Sequence, residues 1–127
     1  MRLKLQRQGR KFAIYAVLLD NSKCPAFDFL EEAKRNNPAS HKSLVNILKR
    51  HADFGQIGNE RKSRVLEGYR GLLEFKSRQG DRLLYFYLPD WKTILTHGFH
   101  KGAPEKAEYD RARAIKDQYL REEGNGQ

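Results

Sequence analysis

The chain has 127 residues, 39% of them hydrophobic, which is enough for one compact core and too little for two. Its 25 lysines and arginines against 16 acidic residues give a net charge of +9, so we expect a partner that is nucleic acid or an acidic protein. The single cysteine excludes an internal disulfide, and no apolar run is long enough to span a membrane, so we expect a soluble cytoplasmic protein with one domain over residues 1–127.

The N-terminal half predicts one strand followed by two helices. Residues 1–11 form a basic extension with no assigned element, and residues 12–19 are β-branched and aromatic, which is typical of an inner strand. Apolar residues then recur at three- and four-residue steps over residues 25–36, which indicates a helix. A second helix is predicted with Ser40 as its cap and Gly55 at its end.

The C-terminal half predicts three strands and a last helix. Residues 56–70 are charged, without a sustained period, and indicate a loop or an edge segment. Three apolar runs follow, joined by short glycine-containing or Pro-Asp connections that favour an antiparallel meander. These runs are residues 71–76, 82–88 and 91–99. A terminal helix begins at Pro104, and residues 122–127 are expected to form a flexible tail.

This order of elements predicts an α+β fold. We expect a mainly antiparallel four-stranded sheet, with two N-terminal helices packed on one face and a C-terminal helix. In this arrangement the helices cover one face of the sheet and leave the other open.

Five cationic side chains are predicted to meet at one end of this sheet. The second of the three C-terminal strands begins where the other two end, because antiparallel neighbours reverse direction. The five are Lys76, Arg78, Arg82, His100 and Lys101. Cations gathered without a carboxylate repel one another, so we expect an anion between them. Arg82 is expected to reach out from the open face.

Simpler interpretations of the same residues stay open. Lysines and arginines at strand ends are commonly solvated, and His97 is more typical of a hydrogen-bonded core residue than of a catalyst. His97 and His100 are three residues apart on a strand and point to opposite faces, which disfavours a shared metal ion. Tyr85 is expected to belong to the core or to stack on a nucleotide base, and Tyr109 to hang over the cationic end or to pack on it.

Three segments of the chain resemble the RelE/ParE superfamily of type II toxin–antitoxin toxins, and most of all its HigB-like, phage-derived branch. The segments are Phe27-Asp-Phe-Leu30, Leu72-Leu-Glu-Phe-Lys76 continuing into Arg82-Leu-Leu-Tyr-Phe86, and His97-Gly-Phe-His-Lys101 followed by Pro104-Glu105 and a basic helix. The similarity covers residues 12–120 in element order. It implies a RelE-like fold.

The resemblance implies a ribosome-dependent messenger RNA endoribonuclease that needs no metal or other cofactor. In that scheme the RNA 2′-hydroxyl attacks the adjacent phosphate, which requires a base, an acid and cations for the developing charge. The implied catalytic residues are Arg82, Lys76, His100, Lys101 and Tyr109, and the implied RNA contacts are Arg78, Tyr85, Lys106 and Arg113. The implied partners are the ribosome, messenger RNA and an acidic or helix-turn-helix antitoxin. The basic extension of residues 1–11 is expected to contact ribosomal RNA or to be disordered.

Two other functions are compatible with these patterns. One is a ParE-like toxin that inhibits DNA gyrase by binding it, although such relatives lack a histidine within a cation cluster. The other is a basic module that binds nucleic acid without cutting it, in which case binding weakens steeply with salt.

Overall fold

A computed structural model describes residues 1–55 and 63–125, which form an α+β fold around a mixed sheet. The sheet has five longer strands and one three-residue edge strand. In chain order the elements are β1 (Arg2–Gln8), β2 (Ala13–Leu18), α1 (Pro25–Asn36), α2 (Pro38–Phe54), β3 (Ser63–Val65), β4 (Leu73–Lys76), β5 (Arg82–Leu88), β6 (Lys92–Phe99) and α3 (Glu105–Asn125).

The strands lie in the order β1-β2-β6-β5-β4-β3. Every neighbouring pair is antiparallel except β2 and β6, which run parallel with Ala13 opposite Lys92 and Ala16 opposite Leu95. The prediction of a mainly antiparallel sheet is therefore confirmed, and so is the meander from β4 to β6. The prediction of four strands is wrong, because β1 and β3 are added at the two edges.

The basic extension contains strand β1. Residues Arg2–Gln8 pair antiparallel with β2, and their register shifts between Leu5 and Arg7. Gly9 makes the return turn possible, because a Cβ at this position would lie 2.3 Å from the Ala52 backbone of α2. Disorder of this segment is thus excluded, and β2 becomes an inner strand as predicted.

Helices cover both faces of the sheet, so the prediction of one open face is wrong. On one face, Phe29 of α1 and Leu44 and Leu48 of α2 pack on the sheet. On the other face, Tyr109, Ala112, Ile115 and Tyr119 of α3 pack against a second set of strand residues. Because strand side chains alternate, Leu83 and Tyr85 face the first layer and Leu84 and Phe86 face the second.

The helix boundaries follow local capping chemistry. Pro25 stands at the start of α1, and Gly55 with φ +82° ends α2 as predicted. The predicted cap at Ser40 is wrong, because the Asn37 side chain caps α2 by accepting the Ser40 N–H at 3.3 Å. Helix α3 continues to Asn125 and so includes the first part of the tail predicted at 122–127; the last two residues lie outside the described chain.

Candidate functional site

Strand register brings the predicted cationic positions to one end of the sheet. Lys76 at the end of β4 is opposite Arg82 at the start of β5, and Arg82 is opposite Phe99 at the end of β6. Arg78 follows in the β4–β5 turn, and His100 follows directly after β6. The predicted convergence of these backbone positions is confirmed.

Arg82 turns into the interior between the sheet and α3, and not out from an open face. Its residue is 9% exposed, and its guanidinium donates to Glu74 Oε1 at 3.0 Å and to Glu105 Oε1 at 3.1 Å. Burial opposes its charge, but Glu74, Tyr109 and Glu105 together raise the pKa of Arg82 above its ordinary value. The expected cluster without carboxylates is therefore wrong, because Arg82 already has anionic partners.

Tyr109 belongs to the same buried network. Its hydroxyl accepts a hydrogen bond from Arg82 at 3.1 Å and donates one to Glu74 Oε2 at 2.9 Å. The residue is 8% exposed, so its ring packs on the sheet and does not stand over the cationic end. Of the two placements expected for Tyr109, the structure shows packing on the sheet, and its role in orienting a nucleotide stays a prediction.

Tyr85 is a core residue under α2. It is 1% exposed, and its ring stacks on Phe75 with centroids 4.0 Å apart. A ring enclosed in this way cannot stack on a nucleotide base, so of the two interpretations of Tyr85 the core interpretation is confirmed.

Three cations at this end of the sheet keep their charge available to an anion. Arg78 and Lys101 are exposed and Lys76 is half-buried, and none of the three has an ion pair within the part of the chain that the structure describes. The Lys101 side chain lies against the β4–β5 turn, 2.9 Å from the position of a Cβ on Gly80. We call Lys76, Arg78, Lys101 and the adjoining His100 the cationic rim.

His100 stands beside the rim between two carboxylates. Its ring is 45% exposed, with Nε2 at 3.0 Å from Glu32 Oε1 of α1 and Nδ1 at 3.4 Å from Asp81 Oδ1. The ring also lies 4.8 Å from the Phe29 ring, which limits its rotation. An accessible imidazole with carboxylate partners on both sides can accept or donate a proton at a bound substrate.

Asp81 organises the backbone of the rim. It is buried, and its carboxylate accepts from the Ser40 hydroxyl at 2.6 Å and from the Lys101 N–H at 3.1 Å. The Ser77 hydroxyl accepts the Asp81 N–H at 3.0 Å, which closes the turn that carries Arg78. The start of α2, the β4–β5 turn and the end of β6 are therefore held together by one carboxylate.

His97 and His100 leave β6 toward different helices, as their spacing predicts. The His97 ring is 1% exposed and its Nε2 lies 2.8 Å from Glu108 Oε2 of α3. Burial lowers the pKa of His97 below its usual range, although the bond to Glu108 opposes this effect. The neutral ring then donates its Nε2–H to Glu108, which confirms the interpretation of His97 as a hydrogen-bonded core residue.

The two cations predicted to bind RNA on α3 share one local partner. Lys106 Nζ lies 3.0 Å and Arg113 3.2 Å from the carboxylate of Asp110. Hydrogen bonding to Asp110 raises the pKa of Lys106, and the same bond lowers the pKa of Asp110. Both cations are exposed, but they form a separate cluster on the helix surface.

Sequence reasoning missed the acidic half of this region. Glu74 and Asp81 are buried beside the cations, and Glu32 and Glu105 reach it from the helices. A signal existed for Glu74, which stands inside an apolar strand two pairs of residues from Arg82 in the register. Glu32 gave no such signal, because it reaches His100 across 68 residues of sequence.

Two negative results accompany this geometry. Within residues 1–55 and 63–125, no helix is long and apolar enough to cross a membrane. Across the same residues, no three histidine, cysteine or acidic side chains are placed as ligands for one metal ion.

Comparison of the chain with protein-family models and with curated proteins finds no match. The resemblance to the RelE/ParE superfamily therefore stays a prediction.

Proposed function

We propose that the protein is the toxin of a type II toxin–antitoxin pair, with a RelE-like fold, and that it cuts messenger RNA on the ribosome. The observation that carries the proposal is the cationic rim, where Lys76, Arg78 and Lys101 have no ion pair among the described residues and the ring of His100 is half-exposed. Element order from β2 to α3 supports the resemblance on which the toxin assignment rests.

The rim has the groups that cleavage by a 2′-hydroxyl requires. Arg78 and Lys101 bind the scissile phosphate, Lys76 adds positive potential, and the three oppose the charge that develops on the phosphorane. The 2′-oxygen bonds to phosphorus while its proton passes to a base, and the bond to the 5′-oxygen breaks as that oxygen takes up a proton. The products are a cyclic phosphate and a 5′-hydroxyl end.

His100 is the proton-transfer residue of this proposal. Glu32 and Asp81 face its two ring nitrogens and hold the ring in one orientation, so one of these contacts opens when that nitrogen exchanges a proton with the RNA. A histidine can remove the 2′-hydroxyl proton or protonate the leaving oxygen without any cofactor.

Arg82 takes a positioning role in place of the phosphate contact that the resemblance implies. Its ion pairs with Glu74 and Glu105 join β5 to β4 and to the start of α3. Arg82 thereby holds β5 against α3 and against the strand that carries Lys76.

The antitoxin is proposed to be an acidic chain that covers the rim. The net charge of +9 and the rim cations, which have no ion pair within the described part of the chain, favour an acidic partner at that end of the sheet. Messenger RNA and such a partner would compete for the same cations.

The test is cleavage of messenger RNA on translating ribosomes, with the ends of the fragments identified. We expect cuts that leave a cyclic phosphate and a 5′-hydroxyl, and we expect Arg78→Ala and Lys101→Ala each to slow them. Arg121→Ala is the matched control, because Arg121 is exposed on α3 about 24 Å along the helix from Glu105.

Other outcomes identify the alternatives. Inhibition of gyrase supercoiling without RNA cleavage would identify a ParE-like inhibitor. Salt-sensitive RNA binding without any cut would identify a basic binding module. Fragments with 5′-phosphate ends would contradict attack by the 2′-hydroxyl.

A further inference from the structure

A cleft adjoins the rim on the side of β6 that β2 does not cover. Pairing between these parallel strands stops at Ala16 and Leu95, so β6 continues alone toward Phe99 on this side. The cleft has a volume of about 620 Å³ and lies between α1 and the first turns of α3. This volume is in the range of pockets that take a nucleotide-sized ligand.

The cleft lies where α1 comes close to the backbone of β6. Phe29 and Phe99 line it, with Gly98 between helix and strand. A Cβ on Gly98 would lie 2.2 Å from the Phe29 ring, so only glycine lets α1 approach β6 this closely. Phe29 and Phe99 are each 6% exposed, so neither ring offers a face on which a base could stack.

The walls carry charges of both signs. Lys23, Lys101 and Arg111 line the cleft and form no ion pair within the described residues. Glu32 and Glu108 also line the cleft, and each bonds a histidine through one carboxylate oxygen. The second oxygen of each has no hydrogen bond within the described residues. The ligand must therefore offer both an anionic group and N–H donors.

Of these two carboxylates, Glu32 is the better placed to recognise a ligand by hydrogen bonds. Its Oε1 is fixed by His100, so the carboxylate is held in position before a ligand arrives. A carboxylate pairs well with two adjacent N–H donors on one edge of a ring. Among the four RNA bases only guanine presents such a pair, at N1 and its exocyclic amine.

We propose that this cleft binds the guanine of a nucleotide whose phosphate lies on the cationic rim. The proposal rests on the proposed function for the position of that phosphate, since Lys101 and His100 belong to both the rim and the cleft. The guanine lies in the cleft, where its N–H edge donates to Glu32.

Equilibrium binding of the four nucleoside 5′-monophosphates to the full chain tests this inference by calorimetry. We expect 5′-GMP to bind at least about tenfold more tightly than 5′-UMP, and Glu32→Gln to remove this preference. Glu31→Gln is the matched control, because Glu31 precedes Glu32 on α1, is equally half-buried and does not line the cleft.

Each result decides the question. Equal affinities for all four nucleotides, no binding of 5′-GMP, or the same loss in Glu31→Gln would overturn the proposal. The nuclease proposal fails in a different assay. In that case messenger RNA on ribosomes stays uncut, while the binding assay still shows the preference for 5′-GMP.

Discussion

At the scale of single residues, the buried ion pair of Arg82 with Glu74 makes this side chain important for the stability of the fold. Arg82→Ala leaves the buried carboxylate of Glu74 without its guanidinium, and we expect a loss of about 3 kcal/mol in the free energy of unfolding. Urea denaturation measures this loss. Arg78→Ala, in the exposed turn before β5, should leave the midpoint unchanged; an equal loss in both variants would contradict the assignment.

The sequence places Arg82 correctly along the chain but does not reveal its surroundings. The alternation of strand side chains predicts that Arg82 shares a face with Leu84 and Phe86, and the structure confirms it. Its exposure was predicted wrongly because α3 covers this face and brings Glu105 and Tyr109 to the guanidinium. Such long-range partners leave no local pattern in the sequence.

At the scale of elements, the contact of α1 with β6 depends on Gly98. Gly98→Ala forces the Phe29 ring away from the strand, and we expect a loss of about 2 kcal/mol. Thermal unfolding of Gly98→Ala, Phe29→Leu and the double variant measures the coupling between the two sites. The double variant should lose less than the sum of the single variants, and strict additivity would contradict the contact.

The junction of α2 with β6 should make stability depend on pH. His51 is buried, its Nδ1–H donates to the Gly55 carbonyl and its Nε2 accepts from Thr93, and burial lowers its pKa from 6.5 to about 4. The unfolded chain therefore takes up a proton first as the pH falls, so up to about 3 kcal/mol of stability is lost between pH 6.5 and 4.

Urea denaturation across this pH range measures the effect of His51. The slope of stability against pH should be smaller in His51→Gln, while buried His97 continues to contribute in the same direction. An unchanged slope in His51→Gln would contradict the assignment.

The helices and inner strands were predictable because their patterns are local. Spacing of apolar residues and the residues Pro25, Asn36 and Gly55 mark α1 and α2 closely. Strand β1 was missed because an edge strand needs few apolar residues, and here only Leu3 and Leu5 alternate among charged and polar side chains. Ser40 is a residue type that often caps helices, which explains the wrong prediction. Its actual bond to the buried Asp81 depends on the tertiary fold and leaves no local pattern in the sequence.

At the scale of the whole molecule, the layering of the fold follows from strand order. The apolar stripe of α3 was predictable from residues such as Ala112, Ile115 and Tyr119, but the face on which it packs was not. That face depends on β6 lying between β2 and β5, a pairing between distant parts of the chain. The same strand order brings the cationic rim and the cleft to one end of the sheet.

The charge of the rim should appear in the salt dependence of RNA binding. Single-stranded RNA binding weakens with salt by ~0.7 log units per phosphate contact, so Arg78→Ala/Lys101→Ala should reduce the slope by about 1.4. Fluorescence anisotropy with a labelled single-stranded RNA measures it. Lys106→Ala/Arg113→Ala, at the paired cluster on α3, should change the slope less. A larger change of the slope in Lys106→Ala/Arg113→Ala than in Arg78→Ala/Lys101→Ala would indicate that RNA binds at α3 and not at the rim.

The most direct test of the account is the single-turnover rate of messenger RNA cleavage on the ribosome by His100→Ala. The account predicts a rate lowered by about 10²- to 10⁴-fold with an unchanged unfolding midpoint, because His100 transfers a proton in the reaction. His41→Ala, on α2, should cut at the rate of the unaltered protein. Cleavage by His100→Ala at that same rate would contradict the account.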